Sequence, residues 1–181
     1  MIIARQKRKE NIAEYLLYMW QVEDLIRANN FDIERIRQTI VSRYDQPEPV
    51  RKEIETWYEE LIEMMRSEDV KEKGHIQLNK NVVSQLTELH LTLLKDPNEM
   101  VYNGAYYKTL PYIVQLRARS GGMELPEVET CFNAVYGFFI MRMQQKDISE
   151  QTIAAVKQIS AFLALLAEKY RKETSQERGN P

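Results

Sequence analysis

The chain has 181 residues, 44% hydrophobic and 29% charged, with a formal net charge of −2. That suits one domain with a sizeable core and speaks against a dedicated nucleic-acid binder, which carries a basic excess to offset phosphates. A single cysteine, Cys131, excludes an intrachain disulfide and points to a reducing, cytoplasmic compartment.

Glycine and proline are few. Glu, Lys, Gln, Leu, Ile, Met and Ala, which lose little entropy in a helix, are abundant, so an all-α chain is expected. Arg5, Lys7, Arg8 and Lys9 imitate the charged start of a signal peptide, but Glu10, Glu14 and Glu23 interrupt any apolar segment after them. That basic run reads as a solvated helix start. The most apolar stretches, 131–143 and 159–167, fall short of the ~20 residues a membrane helix needs.

In chain order, Ile12, Leu16, Met19 and Ile26 recur at helical spacing and predict a first helix over 5–28, stopped by Asn29-Asn30. Asp32 offers an N-cap for a short helix carrying Ile33, Ile36, Ile40, Val41 and Tyr44. Pro47 and Pro49 break it, because proline lacks the amide proton. A third helix over 49–71 has Val50, Ile54, Trp57 or Tyr58, Leu61, Ile62 and Met65 on its core face and glutamates outside. The stretch 74–81 reads as a bend. Val82, Val83, Leu86, Leu89, Leu93 and Leu94 then mark a fourth helix.

Asp96-Pro97-Asn98-Glu99 reads as a helix start, with Asp96 capping and Glu99 placed for a capping box. The fifth helix is expected to reach about Ser120, kinked near Pro111, with a turn at Ser120-Gly121-Gly122. Pro126 opens the sixth, ending near Lys146. Asp147 or Ser149 caps a seventh that runs to about Lys172. The expectation is a single-domain antiparallel helical bundle of about seven helices over 1–172 with a flexible tail over 173–181. A bend over 68–80 could separate two sub-bundles.

Common catalytic and metal patterns are absent. There is no glycine-rich phosphate loop and no Gly-x-Ser-x-Gly elbow. His75 and His90 stand alone, and Glu88 precedes His90 by two positions where a di-iron bundle wants three. A helix-turn-helix reading of the second and third helices founders on the acidic third helix. No cofactor, no metal and no catalytic residue is expected, and Cys131 reads as a buried, inert thiol.

Three features stand out. Glu23 lies on the apolar stripe of the first helix, where a carboxylate must pair or take up a proton. The simpler reading is a structural ion pair with Arg27; the sharper one is a ligand site with Trp20. Tyr102, Asn103, Tyr106, Tyr107 and Tyr112 crowd the fifth helix, where Tyr102 and Tyr106 are either core or pocket residues. The last two helices are apolar around most of their circumference, which predicts enclosure on several sides. Phe162 and Leu165 point away from the Ile153, Val156 and Leu163 stripe and so are candidates for a dimer face.

The opening Arg8-Lys9-Glu10-Asn11-Ile12-Ala13-Glu14-Tyr15-Leu16-Leu17-Tyr18-Met19-Trp20-Gln21-Val22-Glu23-Asp24 resembles the N-terminal signature of an uncharacterised bacterial family of helical proteins near this length, classed as a domain of unknown function. The resemblance implies an all-helical cytoplasmic protein and brings no activity or site residue. Two functional readings follow. One is a non-enzymatic interaction module that forms a homodimer or docks a protein partner, away from nucleic acid and membrane. The other is a small-molecule binding protein or enzyme, with a site between the first and fifth helices around Glu23, Trp20, Arg27, Tyr102 and Tyr106.

Overall fold

The structure, a computed structural model, describes residues 2–119 and 125–179, the last four as backbone only. The described residues are all-α: eight α-helices and one short 3-10 helix, with no strand. By its internal contacts the chain divides into two compact units, 1–10 with 14–81 and 11–13 with 82–181.

The expected helix over 5–28 is two helices, α1 (Ile2–Glu10) and α2 (Ile12–Ala28). Asn11 interrupts them. Its Oδ1 accepts the Ala13 N–H at 3.0 Å, the bond that caps a new helix. Asn30 (φ 56°) and Phe31 (φ 59°) close α2 in the left-handed region, and the Phe31 N–H reaches back to the Ile26 carbonyl at 3.1 Å. Asp32 caps α3 (Ile33–Thr39) as expected, accepting from the Glu34 and Arg35 amides. A 3-10 turn (Val41–Arg43) leads on to α4 (Glu48–Ser67). Ile54, Tyr58, Leu61, Ile62 and Met65 form its buried face, with Tyr58 inside and Trp57 at the edge. Burial pushes the phenols of Tyr18 and Tyr58 well above the ordinary range, and both hydrogen-bond to Tyr44.

The next helix, α5 (Gln77–Lys95), starts inside the stretch read as a bend, and the boundary between the units falls within it. In the second unit it buries Val82, Leu86, Leu89, His90 and Leu93. The following helix, α6 (Met100–Arg119), begins later than the sequence suggests. Asp96 Oδ1 is taken up by the backbone and side-chain amides of Asn98 (2.8 and 3.0 Å), and Glu99 pairs with Lys169 at 2.5 Å, so no capping box forms. Pro111 sits within α6 and does not end it. The expected Ser120-Gly121-Gly122 turn lies outside the described residues.

Pro126 precedes α7 (Glu127–Met143) as expected. Ser149 Oγ accepts the Thr152 N–H and opens α8 (Glu150–Gly179), which continues past the expected end near Lys172. The three helices α6, α7 and α8 pack on one another. α8 buries one clear stripe of Val156, Ile159, Phe162, Leu163, Leu166 and Ala167. α7 departs from expectation: only Val128, Thr130, Cys131 and Phe132 in its first half are buried, and its apolar second half is half-buried to exposed.

Candidate functional site

Three places combine unusual chemistry with defined geometry, and each lies within one unit. In the first unit, Glu23 on α2 is fully buried. Its Oε1 accepts the Ile76 N–H (3.0 Å) and Asn79 Nδ2 (2.8 Å), and its Oε2 accepts from His75 Nδ1 (2.5 Å). Trp20, one turn earlier, stacks flat on the His75 ring with centroids 4.1 Å apart. Ile76 is the residue before α5, so Glu23 caps that helix from a distant part of the chain and places its negative charge at the positive end of the dipole. Asn79 must turn its amide nitrogen toward the carboxylate, which leaves its Oδ1 buried without a partner. Arg27 is not the partner of Glu23: its guanidinium bonds Asp24 (2.8 Å) and the carbonyls of Val70 (3.0 Å) and Gly74 (2.5 Å), tying down the loop before α5.

In the second unit, His90 on α5 is buried between Tyr102 and Glu127. Its Nδ1 lies 2.7 Å from the Tyr102 hydroxyl and its Nε2 3.4 Å from Glu127 Oε2. Burial lowers the pKa of His90, and the Glu127 carboxylate offsets part of that effect. A neutral imidazole here donates from Nε2 to Glu127, which can only accept, and receives the Tyr102 O–H at Nδ1. Phe162 meets the same ring edge-on at 5.7 Å. Tyr106 also hydrogen-bonds Glu127, and burial together with that carboxylate pushes its phenol up to about 12. Arg117 stands 3.7 Å from Glu127. The imidazole and the Tyr102 phenol are sealed from solvent.

The third place is a surface. On the outer side of α6, Met100, Gly104, Tyr107, Pro111, Val114 and Ala118 are all exposed. Their spacing alternates four and three residues, the register at which one helix face meets another helix. Met100 is 76% exposed, Tyr107 65% and Val114 57%, and no charged residue interrupts the row. A helix interior disfavours glycine by about 1 kcal/mol and proline by about 3 kcal/mol against alanine. Both occur on this face, and a Cβ added at Gly104 would meet nothing within 4 Å, so the chain's own packing does not require glycine there. Beside this face, α6, α7 and α8 enclose a groove of about 330 Å³ that includes Tyr112, Arg119, Asn133, Gly137 and Phe138.

A family model described as "Domain of unknown function (DUF4924)" matches residues 1–177. The chain belongs to this family. No curated protein and no solved structure matches the chain significantly. Membership of DUF4924 agrees with the resemblance seen in the first helix and assigns no activity. No helix among the described residues is long and apolar enough to cross a membrane, and no three His, Cys, Asp or Glu side chains among them group as metal ligands.

The expected site residues divide between the units. Glu23, Trp20 and Arg27 lie in the first, each in contact with the loop before α5; Tyr102 and Tyr106 lie in the second, around His90. Phe162 is fully buried against His90, Tyr102 and Tyr106 and so does not face outward, while Leu165 is half-buried; the exposed side of α8 includes Ile153 instead. Sequence reasoning passed over His90, His75 and Glu127. His90 had a signal: it falls four residues after Leu86 and three before Leu93, on the apolar stripe of its helix. His75 had none, because loop positions carry no period.

Proposed function

We propose that the chain is a non-enzymatic helical module that docks a protein partner through the outer face of α6. One observation carries this reading: six exposed, uncharged residues in helix-pairing register, two of them residues that a free helix disfavours. The buried histidine clusters support it indirectly. Their polar atoms are mostly engaged by neighbours within the chain, which suits struts better than reactive groups. The test is a photo-reactive benzophenone side chain placed at Tyr107 in the cells that make the protein, with the exposed Glu72 as control position. Protein adducts at Tyr107 and none at Glu72 are expected; no adduct at either position overturns the docking reading. A second reading, a small-molecule binding protein, is favoured by the groove among α6, α7 and α8, whose 330 Å³ lies at the lower end of ligand pockets. A metabolite screen by thermal shift distinguishes it, because a ligand of the native state raises the melting temperature with saturation.

A further inference from the structure

Two properties of α6 say what covers its outer face: the order of side-chain sizes along it and the distribution of charge at its ends. Along the face the residues run Met100, Gly104, Tyr107, Pro111, Val114, Ala118. Laid antiparallel on itself, with the crossing point between Tyr107 and Pro111, this row sets Met100 beside Ala118 of the second copy, Gly104 beside Val114, and Tyr107 beside Pro111. Each layer then joins a larger side chain to a smaller one, so knobs find holes along the whole contact. Laid parallel, the same row stacks methionine on methionine, tyrosine on tyrosine, and glycine against glycine with a gap.

The charges agree. Asp96 flanks the start of α6 and Arg119 closes it, while Glu99 and Arg117 are already paired within the chain, with Lys169 and Glu127. Antiparallel pairing brings unlike ends together and opposes the two helix dipoles; parallel pairing brings like ends together. Lys108 flanks the crossing point and meets its own copy there, and its long stem lets the ammonium reach water. The shape of Gly104 fits as well, since the open space beside its Cα is where Val114 of the second copy would seat.

We infer that the partner of the α6 face is a second copy of this chain, held antiparallel across a two-fold axis beside Tyr107 and Pro111. This rests on the docking reading above and names the occupant of that face. From Met100 to Ala118 the contact is about 27 Å long at 1.5 Å per residue. One helix face of that length makes a small interface, so association is expected in the micromolar range.

The experiment uses the full chain. Cys131 is fully buried, with its thiol pushed up to about 12 by burial, so it stays out of mild oxidation chemistry. Gly104→Cys and Val114→Cys are made separately. Neither is expected to form a covalent dimer alone, and an equal mixture of the two is expected to do so, because only unlike positions meet. In sedimentation the unmodified chain should shift from monomer to dimer as concentration rises to about 500 μM, beyond the expected micromolar range. Val114→Glu, an exposed change that circular dichroism should show as folded, should remain monomeric. Cross-linking by either single variant alone means parallel pairing and overturns the arrangement. A monomer at every concentration overturns the second copy as occupant. In that event the photo-adduct at Tyr107 judges the docking reading separately: an adduct of another mass keeps it, and no adduct ends both.

Discussion

Glu23 has no exposed surface, and its charge is balanced by three donors on or just before α5. Removing one member of such a buried set leaves the others desolvated and unpaired, at about 3–5 kcal/mol. Glu23→Ala should therefore lower the urea unfolding free energy by that amount, and Glu23→Gln by less, because the amide oxygen still accepts one of the donors. A loss under about 1 kcal/mol in Glu23→Ala would mean that the cap is dispensable. His90 makes a pH prediction. Its folded pKa lies below the ordinary 6.5, chiefly because the ring is buried. As pH falls the unfolded chain takes up this proton before the folded one does. The contribution of His90 is thus complete above that value and lost on acidification below it. Between about pH 7.5 and 5.5 the melting temperature should fall more steeply for the wild type than for His90→Gln, which keeps a donor and an acceptor but does not titrate. Equal slopes would show that the buried imidazole does not govern the acid limb. Glu23 is legible from the sequence because a carboxylate interrupts an apolar period. Its partners are not, because all three lie more than fifty positions away.

Helix ends divide into those the sequence announces and those it hides. Asp32 and Ser149 act through their own side chains on amides two or three residues ahead, so local chemistry suffices to place them. Asn11 is hidden because the apolar repeat around it reads straight through the break. Asp96 and Glu99 have the right residues for a cap, yet Glu99 has a stronger partner in Lys169, 70 positions later, and tertiary pairing wins over the local motif. α2, α4 and α7 each end on a left-handed residue that is not glycine: Asn30, Asp69 and Gln145, with the next amide bonded back to Ile26, Met65 and Met141. A side chain in that conformation costs on the order of 1 kcal/mol. Gln145 is exposed and lacks the short polar side chain that eases it, so Gln145→Gly should stabilise the chain by about 1 kcal/mol in chemical denaturation. A neutral or destabilising result would show that the Gln145 side chain contributes more than its backbone strain costs.

At the scale of the chain, composition points to the all-α class, because residues with low helical entropy cost are abundant and glycine and proline are few. Which apolar faces are buried is less legible. α7 and α8 both look apolar all round, yet α8 buries one stripe and α7 only its first half, since burial depends on neighbours that periodicity does not name. Phe162 shows the consequence: it is placed on an outer face by its angle to Leu163 and found at the centre of the second unit. The α6 face is hidden for the opposite reason, because apolar residues that form a register look like core until a structure shows them uncovered. The cap on α5 also bears on synthesis. Glu23 leaves the ribosome 53 residues ahead of Ile76, roughly 3 to 10 s at ordinary elongation rates. Throughout that interval the carboxylate has none of its three donors, and sinking the α2 stripe would strand a charge in oil. The α2 stripe is therefore expected to stay hydrated until the stretch from His75 to Asn79 is made, so that the order of translation bears on the order of its burial.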